Sequence, residues 1–276
     1  MGYIFDQDAA ERQEAWFCTE AGRESLRLQK ELILRLVRPR RGERLLDVGC
    51  GSGLHLEIFK REGLDVTGVD PSRSMLDLAH ARLGHQAGLF PGQAEDLPFE
   101  DNDFDIVTMI TCLEFIDDPE TALAEALRVA RSRVFVGVLN RLSLTALGRR
   151  VRGLFKDSMY NHARFFSLWE LTALIRGLIG PTSFRWATVQ VLPPGLALHA
   201  SSFEERPLVQ VNPFGAFLGL TADVAYTMHA DGLILKSGLK LGRKRVPTPS
   251  PSTYGPPHMK SGRSWANLPE RREVQK

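Results

Sequence analysis

The chain has 276 residues, 43% hydrophobic and 25% charged, with a net charge of +2, a composition that excludes fibrous and low-complexity classes. Its three cysteines, Cys18, Cys50 and Cys112, form no CxxC pair and have no histidine at metal-ligand spacing. That excludes a disulfide scaffold and a structural zinc site and fits a reducing, cytoplasmic setting. The polar, acidic start "MGYIFDQDAAERQEAW" is unlike a secretory leader. The most apolar stretch, 208–228, is interrupted by Asn212, Pro213 and Asp223, so no membrane span is expected. From Arg243 onward there are eight basic and two acidic residues, giving that stretch +6 and the remainder −4. It is rich in Pro, Ser and Gly ("VPTPSPSTYGPPH") and lacks apolar periodicity. Residues 243–276 are therefore expected to be a basic disordered tail, and 1–242 the folded domain.

In chain order, Leu28, Leu32 and Leu36, widened by Ile33 and Val37, predict a helix over 22–38. Strands and helices then alternate. "RLLDVG" is a strand, "LHLEIFKREG" a helix, "DVTGVD" a strand, and "SRSMLDLAHARLG" a helix capped by Ser72 or Ser74. A short third strand falls within "GLFPGQAEDL" and a strongly apolar fourth in "DFDIVTMITC". The helix "PETALAEALRVA", with Pro119 near its start, precedes a fifth strand, "RVFVGVLN". After Asn140 the rhythm breaks until "LWELTALIRGLIG" resumes as a helix, so 141–166 reads as an inserted lid or acceptor-binding segment. "SFRWATVQVLPP" supplies a sixth strand, and "GAFLGLTADVAYTM" contains a seventh. The pattern predicts an α/β fold of Rossmann-like, doubly wound type: a mostly parallel seven-stranded sheet with helices on both faces.

The chemistry concentrates in "LLDVGCGSGLHLEIF", where a strand runs into Gly49, Gly51 and Gly53 and out into a helix. Such a bend lets backbone approach a ligand closely. The spacing is G-x-G-x-G, not the G-x-G-x-x-G of dinucleotide folds, and Asp47 at the strand end would repel a pyrophosphate. No Gly-Lys-Ser/Thr follows, which excludes a P-loop. A ligand that is cationic or carries an amine fits better.

"LLDVGCGSG" resembles the first motif of the class I S-adenosylmethionine-dependent methyltransferases, in particular the small-molecule subgroup of the ubiquinone/menaquinone-biosynthesis type. "VTGVDPSRSML", with Asp70 17 positions after Gly53, "GQAEDLPFEDNDFDIV", "TCLEFIDDPETALAEALRV" and "ARFFSLWELTALI" extend the likeness over about residues 20–180. The resemblance implies S-adenosylmethionine as cofactor and transfer of its methyl group by in-line displacement to a small-molecule or lipid-like acceptor. Asp70 would accept the ribose hydroxyls, and the glycines with Cys50 would approach the sugar and amino-acid portion. Asp47 would orient that region. Ala94, Glu95 and Asp96 would meet the adenine edge, Pro71 and Met75 its face, and Thr111 and Cys112 would line the methionine side.

Each residue also has a purely structural reading. Asp47 or Asp70 can cap the following helix, Met75 can be core, and both site cysteines can be packing residues. His162 is the candidate general base, Tyr160, Arg164, Phe165 and Phe166 a candidate acceptor wall, and Trp16 a residue that closes over the cofactor. Leu144, Leu147, Val151, Leu154 and Phe155 share one face of a helical wheel, with Arg141, Arg149, Arg152 and Lys156 on another. A peripheral membrane contact through 141–156 follows from that pattern, as does a simple apolar cover. No metal and no nucleic acid partner are expected. Two other functions remain open on sequence: a catalytically silent cofactor-binding subunit, and a nicotinamide-dependent oxidoreductase.

Overall fold

The computed structural model describes residues 2–143, 163–191 and 211–224. His162, Tyr160, the amphipathic stretch 144–156 and the tail 243–276 lie outside the described residues.

The chain forms α1 (Gln7–Phe17), α2 (Glu20–Val37), β1 (Arg44–Val48), α3 (Leu54–Arg61), β2 (Asp65–Asp70), α4 (Arg73–Leu83) and β3 (Gly88–Pro91). It continues with β4 (Phe104–Ile110), α5 (Pro119–Val129), β5 (Ala130–Leu139), α6 (Leu168–Ile179), β6 (Phe184–Val189) and β7 (Phe217–Asp223). The sheet order is β3-β2-β1-β4-β5-β7-β6. β1 to β5 are mutually parallel, and β7 runs antiparallel to both β5 and β6.

Alternation along the central strands builds two cores. Leu45, Ile106 and Phe135 face the layer of α2, α3 and α4, where Leu28, Leu32, Phe59 and Leu76 pack. Leu46, Val107, Val134 and Val136 face α5 and α6, where Leu123, Leu127, Leu171 and Ile175 pack. Because both faces are covered, all five residues of β1 are buried, Asp47 included.

Helix starts are capped by side chains: Thr19 Oγ1 accepts from Gly22 N at 3.0 Å, and Ser72 Oγ accepts from Met75 N at 3.2 Å. The ends of the 141–166 segment are stitched together. Arg141 N donates to Phe166 O at 2.9 Å, and Phe166 N donates to Leu139 O at 3.3 Å. Phe166 is fully buried, with the Arg164 guanidinium 5.0 Å over its ring. Phe166 belongs to the core on the α5 and α6 side, and neither it nor the buried Phe165 lines the cavity over the strand ends.

Candidate functional site

The two ends that converge on the site are those of β1 and β2. After Val48 the chain turns sharply: the N–H groups of Gly49 and Cys50 both donate to Val69 O, at 2.7 and 3.1 Å. Gly49 has φ 71, and a Cβ there would lie 2.4 Å from the Cβ of Cys112, so only glycine fits. Gly51 N donates to Asp70 Oδ2 at 2.8 Å, and Ser72 N donates to Asp70 Oδ1 at 2.8 Å. Asp70 thus ties the glycine bend to the start of α4 while each of its oxygens keeps further lone-pair capacity. Burial pushes its pKa up to about 6, although both backbone bonds oppose the rise.

A cavity open to solvent lies over these strand ends. Gly49, Cys50, Gly51, Leu54 and His55 form one part of its wall, and Asp70, Pro71 and Met75 another. The turn after β3 contributes Gly92, Gln93, Ala94 and Glu95. The end of β4 contributes Ile110, Thr111, Cys112, Phe115 and Ile116. Thr111 is held at φ 50, a costly conformation for a β-branched residue, with its N–H donating to Gly137 O at 2.7 Å. The Cys112 thiol donates to Val48 O at 3.1 Å, and burial drives its pKa well up, as it does for Cys50. Neither is an activated nucleophile.

Three residues expected at the ligand are not among those lining the cavity. Asp47 is 1% exposed and lies beneath the bend, where Thr108 Oγ1 donates to its Oδ1 at 2.6 Å. Burial raises its pKa to about 7, the hydroxyl lowering it and the neighbouring Asp70 charge raising it. Gly53 faces the helices instead: a Cβ there would meet Leu83 Cδ1 at 3.1 Å and Ala79 Cβ at 3.2 Å, so it lets α3 and α4 pack. Asp96 is exposed and stands outside the cavity wall, which uses Ala94 and Glu95 from that turn.

Several wall residues carried no sequence signal. Residues 2–5, Gln13 and Phe17 close the cavity from the N-terminal side. Phe17, not the 42%-exposed Trp16, is the α1 aromatic on the wall. Tyr3 N donates to Phe115 O at 3.0 Å, and Ser72 Oγ donates to Phe5 O at 2.6 Å. The rings of Tyr3, Phe5 and Phe115 meet with centroids 5.2 to 5.9 Å apart. His55 hides within the amphipathic pattern of α3; burial, aided by the Arg82 charge, lowers its pKa to about 4.

A doubly wound sheet with a glycine bend after its first strand and a buried acid ending the second defines a Rossmann-like nucleoside-binding protein. Residues 46–136 match the family model described as a methyltransferase domain. A ubiquinone biosynthesis O-methyltransferase from Aromatoleum aromaticum is 34% identical over 202 residues, 68% of this chain and 77% of that protein. A demethylmenaquinone methyltransferase from Renibacterium salmoninarum is 38% identical over 102 residues, 37% of this chain and 43% of that protein. Among solved structures, a possible histamine N-methyltransferase from Thermotoga maritima superimposes with a TM-score of 0.59 at 27% identity, covering 79% of this chain and 96% of that one. The chain belongs to the class I S-adenosylmethionine-dependent methyltransferases. Across the first seven curated relatives, the matched part spans only 43% to 62% of their length.

Proposed function

We propose that this protein is an active methyltransferase that methylates an oxygen on a phenolic or quinol-like ring. The observation that carries the cofactor half of this reading is Asp70: a buried carboxylate at the end of β2, tied to the glycine bend and lining the cavity. The residues present fit the cofactor. Asp70 has the acceptor capacity for two ribose hydroxyls, the bend lacks side chains where the sugar must approach, and Pro71, Met75, Ala94 and Glu95 offer a site for a flat base. Bound S-adenosylmethionine supplies an activated methyl group.

The protein's own task is positioning and exclusion of water, worth about 7–11 kcal/mol when reacting atoms are well aligned, here for in-line displacement. Tyr3, Phe5, Phe115 and Ile116 give the acceptor side an apolar, aromatic lining that favours a planar ring. The relative named as a ubiquinone biosynthesis O-methyltransferase supports the oxygen acceptor, and the one named as a demethylmenaquinone methyltransferase supports a quinone-like ring. The catalytic unit is assigned to residues 1–242, with 141–166 as its acceptor-side insertion. His162 stays the candidate base.

Calorimetry with S-adenosylhomocysteine tests the first half. Asp70→Ala removes two bonds to a charged acceptor and is expected to weaken binding at least about 100-fold. Unchanged affinity removes the ribose assignment. Incubation with S-adenosylmethionine and a panel of catechols tests the second half, with a product heavier by one CH₂ as the expected result. Methylation of amines but of no phenol would refute the acceptor class.

A further inference from the structure

A short 3-10 turn, Leu113–Phe115, follows β4 and carries a glutamate in its middle. Glu114 is 1% exposed, whereas Phe115 and the next residue, Ile116, line the cavity. A carboxylate withdrawn from water costs free energy unless donors meet it, and an apolar side chain would fill the same space without that cost. The donors around Glu114 lie at one junction of the fold.

β4 last pairs with β5 at Ile110, opposite Gly137. Thr111 N still donates to Gly137 O, but its φ of 50 turns the chain away, so Leu139 lies beyond the end of the neighbouring strand. Leu139 N donates instead to Glu114 Oε1, at 2.5 Å. The carboxylate thus stands in for the strand that β4 no longer supplies. The backbone of the same residue holds a second segment: Arg164 N donates to Glu114 O at 2.8 Å.

Residues 139–141 and 164–166 are where the chain leaves β5 and where it returns toward α6. Glu170 of α6 clamps the same two places, pairing with Arg164 at 2.7 Å and with Arg141 at 3.3 Å. On its other side the turn bears the acceptor wall. Phe115 O accepts from Tyr3 N, and its ring meets those of Tyr3 and Phe5. Slack at Glu114 would therefore move Phe115, Ile116 and the segment resting on them together.

We propose that Glu114 is a positioning residue for the methyl acceptor: by anchoring the turn to Leu139 and Arg164, it fixes Phe115 and Ile116 against the ring to be methylated. This rests on the acceptor reading given above. Glu114 itself is not on the cavity wall and acts through the two residues that are.

The test is steady-state kinetics on the full chain with S-adenosylmethionine and the best catechol of the panel, with S-adenosylhomocysteine calorimetry alongside. Glu114→Met keeps the length of the side chain but leaves Leu139 N without an oxygen, and is expected to raise the catechol KM about tenfold, the loss of one bond to a charged group. Glu114→Gln restores an oxygen and should hold KM within about threefold of wild type. Both should bind S-adenosylhomocysteine within about twofold, which also reports that they fold. If the buried position does not tolerate methionine, Glu170→Ala, which cuts the second clamp, carries the test with a KM about threefold higher. A lower kcat at unchanged KM, the mark of a smaller folded fraction, overturns the proposal. So do equal KM rises in the methionine and glutamine variants, or a matching loss of S-adenosylhomocysteine affinity. A wild-type protein that methylates no phenol overturns the acceptor reading and this proposal with it, whereas an active wild type beside unaffected variants overturns this proposal alone.

Discussion

On the sheet side of the cavity, the wall is backbone and buried carboxyl groups: Gly49 at φ 71, Gly51 bonded to Asp70, and Asp47 beneath them. At the rim formed by residues 2–5 and 110–116 it is largely apolar and aromatic side chain, with Tyr3, Phe5 and Phe115 in mutual contact. A backbone wall cannot be retuned by exchanging one side chain for another, because its shape is fixed by dihedral angles and strand register. A side-chain wall can be altered one residue at a time. The difference suits a ligand pair in which one member is constant and the other varies.

The strongest way to break that contrast is Gly49→Ala. Its new methyl would overlap the Cys112 side chain at 2.4 Å while forcing a left-handed conformation on alanine. Overpacking and strain together are expected to cost about 3 kcal/mol. Thermal unfolding should show a melting temperature lower by about 10 °C. A shift no larger than that of Gly51→Ala, whose added carbon meets only Met75 Sδ at 3.9 Å, would mean that the backbone wall is more yielding than described.

Titration sharpens the comparison next. Asp70 has its pKa raised to about 6. Its carboxylate accepts ligand hydroxyls best when ionised, so affinity should rise with pH through that value and then level off. Between pH 7 and pH 5 the ionised fraction falls to about a tenth, and S-adenosylhomocysteine should bind about tenfold more weakly at the lower pH. Calorimetry in two buffers of different ionisation enthalpy should register proton release near pH 6. A flat profile would contradict the role of the buried acid.

The smallest effect belongs to the rim. Phe115→Ala is expected to raise the KM for a ring acceptor about fivefold, the loss of roughly one aromatic contact. S-adenosylhomocysteine affinity should stay within about twofold. Comparable losses for both ligands would show that the two walls are not separable.

Much of the sheet side was legible in the sequence because it is local. The bend and Asp70 sit within one strand-helix-strand unit, Met75 follows in the next helix, and their spacing carries the chemistry. The rim was not, because its contacts are remote: Phe5 reaches Ser72 across 67 positions, and Glu14, next to Gln13, is bonded to Arg82 and Ser52. Periodicity also hid His55, whose helix position looks like one more buried place on α3. Asp47 and Gly53 were expected at the ligand for their motif positions, and both also have partners behind the bend that the motif does not announce. A carboxylate in a fully covered strand must find an internal donor, here Thr108. A glycine where two helices meet is there for clearance. Asp96 sits among neighbouring acids, and sequence alone could not tell which of them turns inward.

The placement of β7 has a consequence for synthesis. β7 lies between β5 and β6 and is the hydrogen-bonded neighbour of both. While a ribosome is still making the chain upstream of Phe217, the outer edge of β5 and both edges of β6 have no strand partner among the described residues. An uncovered strand edge invites pairing with other nascent chains. A fragment ending before residue 217 is thus expected to aggregate even though it contains every residue assigned to the cofactor.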